Sequence, residues 1–288
     1  MDTSTSQMGS YRARHQNCRP AARQITQRLI VVLMLALWSV STLATTVAPP
    51  GTAHWQDTRY IERGFFDIAL NGEHEWISPV VRKWVQPLKV WLYSEAGDAL
   101  QQQWLLSAHL QQLSAITGLP VTFVSDRSTA NVRILFVGDR DPNRAAARAL
   151  SRNGYLQFKR NICVGQFRSN RRAEIVRGTV VIPVERAELL GKLVPCVIEE
   201  VTQMLGLLND SRYFHPTIFS DITDNEQLTG FDVLLLKLLY LPELAAGMSY
   251  AEAAPIIRRQ LETWRQAGVI ERAASTVAIG PLHAFVTP

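Results

Sequence analysis

The segment from Cys196 to Asp210, C-V-I-E-E-V-T-Q-M-L-G-L-L-N-D, constrains this chain more than any other. Wound as a helix at about 100° per residue, it gathers Val197, Ile198, Val201, Met204, Leu205 and Leu208 on one side. Glu199, Gln203 and Gly206 fall on the opposite side, with Glu200 at its flank. Such a helix must bury its stripe against a core and leave the polar positions projecting together, away from that core. Glu, Gln and Thr are also the ordinary furniture of any amphipathic helix, so the segment alone argues no chemistry.

Periodicity places the segment within a series of elements. Lys89–Tyr93 reads as a strand after Pro87. A long helix over about 97–116 carries Leu100, Trp104, Leu105, Ala108, Leu110, Leu113 and Ile116, and Gly118-Leu119-Pro120 stops it. Val121–Val124 and Val132–Val137 are the next strands. A short Ala/Arg-rich helix is expected over 142–152, then a polar, basic loop over 153–175. A strand at Thr179–Val184 precedes the motif helix at about 196–208. Further helices are expected at 228–240 and 249–266, while Gly64–Leu70 is apolar without a clear type. This pattern predicts an α/β (α+β) domain with a small mixed, twisted sheet over residues 57–288.

The basic pI belongs to the leader. Residues 1–44 hold five arginines and one acid, and the rest of the chain has 25 basic and 24 acidic residues, so net charge gives no argument for nucleic-acid binding. The arginines end at Arg28 and an apolar run, Leu29–Trp38, follows. Small residues then appear up to Ala44 and Ala48. Residues 1–48 therefore read as a signal peptide cleaved after Ala44 or Ala48, or as an uncleaved N-terminal anchor. Either places the rest outside the cytoplasm, periplasmic or anchored to the inner membrane, with the membrane met only through the N-terminal segment. Residues 49–56 read as a Pro/Gly/Thr linker. Beyond Cys18 the chain has two cysteines, Cys163 and Cys196. In an oxidising compartment they are expected as a disulfide, with two buried thiols as the alternative.

The Cys196–Asp210 segment also follows the layout H-E-x-x-H-x-x-G-x-x-H with every histidine replaced. Glu199 stands at the first ligand position, Gln203 at the second and Asn209 at the third, while Glu200 and Gly206 are kept. In the intact motif the two helical histidines grip zinc, and the glutamate serves as general base for the metal-bound water. The order of long helix, three strands and motif helix is that of a zincin catalytic domain. With Gly64-Phe65-Phe66, Arg82-Lys83-Trp84, Ala130–Ile134, Ile218–Asp221 and Leu239-Tyr240…Gly247-Met248, the chain over about 57–266 resembles a bacterial family of secreted proteins of unknown function. That family is related to the zincin metallopeptidases and more distantly to the metzincins.

The resemblance implies a zincin-like fold. It puts Glu200 at the catalytic position and Glu199, Gln203, Asn209 and Asp210 at the metal positions, and it makes Met248 the counterpart of a Met-turn or an ordinary packing methionine. Zinc prefers nitrogen and sulfur ligands, and an oxygen-only set suits Ca²⁺, Mg²⁺ or Mn²⁺ better, so the cofactor is open between a divalent metal and none. His215, Asp221 and Asp224 lie nearby in sequence, with surface or turn roles as their alternative. The expected function is a pseudo-peptidase that binds a peptide or envelope protein. The alternatives are an active metallopeptidase with Glu200 as base, and a structural scaffold of the envelope. The basic residues Lys159, Arg160, Arg168, Arg171, Arg172 and Arg177, interleaved with Tyr155, Phe158 and Phe167, suggest an acidic partner or a merely solvated loop.

Overall fold

The apolar runs Val132–Val137 and Glu174–Pro183 lie side by side at the centre of a six-stranded sheet in the computed structural model. The model describes residues 54–71, 78–138, 140–220, 225–278 and 282. All elements below belong to the unit spanning residues 51–288. The expected leader at 1–48, most of the linker, and Asp221 and Asp224 fall outside the described residues.

The strands are β1 (Lys83–Trp84), β2 (Leu88–Ser94), β3 (Val121–Phe123), β4 (Val132–Val137), β5 (Val164–Ser169) and β6 (Glu174–Pro183). They run in the order β1-β6-β4-β2-β3, all pairs parallel, and β5 pairs antiparallel with β6. The helices are α1 (Thr58–Leu70), α2 (Ala99–Thr117), α3 (Pro142–Ala149), α4 (Arg152–Phe158), α5 (Val184–Leu189), α6 (Leu193–Gln203), α7 (Gly230–Leu239), α8 (Tyr250–Gln266) and α9 (Val269–Ala278). The architecture is α/β with a mixed, mostly parallel sheet, as its class was expected from sequence.

Alternation sorts the two sheet faces. Val90, Val132, Ile134, Phe136, Val180 and Ile182 are fully buried on the face that joins the main core. On the other face α3 and α4 cover only one end, where Val137, Val164 and Val181 meet Ala146 and Phe158. The helices start where their caps dictate: Asp57 accepts from the amides of Arg59 and Tyr60, and Asp98 from those of Leu100 and Gln101. The apolar segment at Gly64–Leu70 is the second half of α1. It buries Phe65, Ile68 and Ala69 while α1 packs against α7 and α8.

Three expectations change. The polar loop expected over 153–175 is α4 followed by β5. The alternation of Val164, Gln166 and Arg168 with Gly165, Phe167 and Ser169 has too little apolar contrast to announce a strand, because one of its faces is open to solvent. The motif helix ends at Gln203 rather than near 208. Leu205 and Gly206 donate back to Thr202 and Gln203 in a tightened turn. Helix α9, not anticipated, packs on α7 and α8.

Candidate functional site

The end of α6 is held from three directions. Trp84 on β1 donates its indole N–H to Met204 O at 3.0 Å, and the Tyr240 hydroxyl donates to Leu205 O at 2.9 Å. Gly206 turns the chain away at φ 120°, and a Cβ there would run into the Arg82 carbonyl. Its neighbour Lys83 is buried, with its ammonium on the carbonyls of Leu241 and Leu244; burial pulls its pKa down to about 8. The run Arg82-Lys83-Trp84, distinctive in sequence, is thus the clamp on the motif helix.

Behind α6 stands α2. His109 is fully buried, and its Nε2 lies 3.1 Å from Ile198 O and 3.0 Å from Thr202 Oγ1. Thr202 itself donates to Ile198 O at 2.6 Å. Nε2 therefore carries the ring proton, because the Ile198 carbonyl can only accept. Burial pushes the imidazole pKa down to about 4, so it stays neutral, while Nδ1 has no hydrogen-bond partner among the described residues. Thr202 is buried here, not on the polar face. The signal for it in the sequence is a histidine set among the buried leucines Leu105, Leu106, Leu110 and Leu113 of the helical stripe.

In front of α6 runs β5. Cys163 and Cys196 form a disulfide that ties the start of this strand to the helix. One turn further along the helix, Glu200 is buried at 8 % exposure, and its Oε2 accepts the Gly165 amide N–H. A side chain at Gly165 would meet Glu200 Oε2 and Glu200 O, each at 2.9 Å, so glycine is what lets the strand come this near. The helical wheel set Glu200 at the flank of the polar face; the structure turns it inward, against β5.

A cleft of about 420 Å³ opens beside this contact, lined by Glu199, Glu200, Gln203 and Asp210, with Lys192 and Glu226 at its rim. Lys192 and Glu226 pair at 2.8 Å. Gln203 Nε2 donates to Asp210 Oδ1 at 2.9 Å. Four of the predicted positions are thus brought together. Asn209 is engaged through its backbone, donating to Ile68 O in α1 at 3.1 Å, and does not line the cleft. Met248 lines a different recess, with Arg82, Arg172 and Glu252. His215 is exposed and holds Tyr60 through its backbone.

The donor set does not fit zinc. It offers carboxylates and one amide where zinc takes imidazole or thiolate. The Gln203 amide points its nitrogen at Asp210, and Glu200 is drawn to β5. Among the described residues no group of three or more His, Cys, Asp or Glu is arranged to hold a metal ion. What the arrangement offers chemically is a polar cleft beside the Gly165–Glu200 contact, lined by the start of β5 and by the side chains of Glu199, Gln203 and Asp210.

Residues 58–259 match a family model described as "Protein of unknown function (DUF2927)". No curated protein matches the chain.

Proposed function

The chain belongs to the DUF2927 family, and from that premise we propose that it is an exported, zincin-like pseudo-peptidase. Its cleft holds an extended segment of another envelope protein without cutting it. The observation that carries this reading is the bond from the Gly165 amide to Glu200. A general base must be placed to take a proton from the attacking water. Here the carboxylate at that position is buried and joins the helix to the edge strand instead.

The edge of β5 supplies the binding element. The Gly165 N–H is directed off β6, so the two-residue alternation turns the backbone groups of Phe167 to the same edge. Past Gly165, whose N–H is taken by Glu200, a peptide laid along this edge pairs with the backbone of Phe167, with main-chain bonds for affinity and the cleft for side-chain choice. The disulfide keeps strand and helix at one separation, and its presence supports an oxidising compartment.

The test is a library of unstructured peptides passed over the full chain, wild type and Glu199→Arg, with mass analysis of what is retained. Retention of a subset of intact peptides, weakened about tenfold by the charge reversal at the cleft wall, supports the reading. Peptides cut by the wild type and left whole by Glu200→Gln refute it in favour of a hydrolase.

A further inference from the structure

Among the described residues, the uncovered end of the second sheet face carries a cluster of arginines. Arg168 on β5 and Arg177 on β6 are directly opposite in the antiparallel register. Two residues along β6, Thr179 pairs with Arg133 on β4, which pairs in turn with Trp91 on β2. Residues in register share a face, so Arg133, Arg168 and Arg177 stand together. Arg127, from the loop before β4, joins them with its guanidinium 5.5 Å from the centre of the Trp91 ring.

Like charges set opposite one another across two strands destabilise a sheet, so the cluster needs a compensating partner. None of these four arginines has a carboxylate partner among the described residues. The nearest acid in sequence, Asp126, spends its carboxylate on the Ser128 amide and hydroxyl, at 2.8 and 2.5 Å. Its lowered pKa follows from those two bonds and from no arginine. Arg133 Nε is buried and has no acceptor among the described residues. Burial first, and then the charges of Arg127 and Arg177, hold the Arg133 pKa below its usual value.

We propose that Arg127, Arg133 and Arg177, with Arg168 beside them, form a binding site for a phosphate-type oxyanion on the open face of the sheet. Guanidinium groups converging from a loop and three strands present their N–H donors to tetrahedral oxygens, the geometry in which arginine outperforms lysine. The Trp91 ring, stacked at 5.6 Å on Tyr93, fixes one wall under Arg127. The site is on the sheet face opposite the core and takes no part in the motif cleft. It resolves the basic sequence run: Arg168 and Arg177 belong to it, whereas Arg172 pairs with Glu174 and Lys159 lies over Tyr155.

The experiment is calorimetric titration of the full chain with inorganic phosphate and, separately, with glycerol 1-phosphate, the chain-free headgroup of an anionic lipid. Wild type is compared with Arg133→Gln, Arg177→Gln and, as a charge control on α8, Arg259→Gln. Binding that weakens about tenfold in Arg133→Gln and Arg177→Gln, and stays within about twofold in the control, supports the site. Preference for the phosphoester assigns a lipid headgroup as source, and preference for inorganic phosphate assigns the free ion. Absence of binding to both probes in the wild type overturns the proposal, and so does an equal loss in all three variants. Arg177 is exposed, so its variant keeps the test decisive should Arg133→Gln misfold.

Discussion

Glu200 and His109 show how the sides of α6 that face β5 and α2 are used. Replacing Glu200 by Ala strands the Gly165 N–H against the helix and is expected to cost about 1–3 kcal/mol in urea unfolding. Glu200→Gln keeps an acceptor oxygen and is expected to cost less. Equal losses in the two variants would deny the hydrogen bond its part. His109 gives a pH signature. Its folded pKa of about 4 lies below the ordinary 6.5, so above pH 6.5 it is neutral in both states. Below that the unfolded chain takes the proton first. Stability is therefore lost as pH falls from about 6.5 to about 4, by about 3 kcal/mol over the window. Asp232, fully buried under donors from Thr217, Ile218 and Thr229, has its pKa pushed up to about 6 by burial and acts in the opposite direction. It is common to wild type and His109→Gln, so the difference between their pH profiles isolates the histidine. Superimposable profiles would contradict the assignment.

Between elements, the contact that matters is β5 on α6. The disulfide closes a loop of 33 residues in sequence separation, and its removal by Cys163→Ala with Cys196→Ala is expected to cost about 3–4 kcal/mol on chain entropy. Amide exchange at Gly165 is expected to speed up in that variant more than exchange at Val180 in the sheet centre; uniform acceleration would mean that the bridge stabilises the whole rather than this wall. These elements were unequally legible in the sequence. β4 and the long α2 announced themselves through strong apolar alternation or helical stripes. The cysteine pair was legible because two cysteines left alone in a domain read as exported have one common fate, a disulfide. β5 was not, since its neighbours in the fold are an open face and a helix, neither of which imposes an apolar pattern. The inward turn of Glu200 was hidden for the same reason: a wheel tells core from solvent, and β5 is neither. Asn209 missed the cleft because the helix ends at Gln203 and the chain leaves it through Gly206.

Across the described unit, a mostly parallel sheet carries two differently built polar surfaces. One is the cleft between β5 and α6, where acids are tied to backbone and amide. The other is the open sheet face, where Arg127, Arg133, Arg168 and Arg177 have no carboxylate partner among the described residues. Among the described residues no helix is long and apolar enough to cross a membrane. The reading of the cleft as a binding groove rests on its polar groups being used to hold its shape. The most direct measurement is the metal content of the purified full chain after incubation with zinc, calcium and manganese, beside the same chain carrying Glu199→Ala and Gln203→Ala. No stoichiometric metal is expected in either protein. About one equivalent in the wild type that disappears in the double variant would contradict a metal-free binding groove and restore the metallopeptidase.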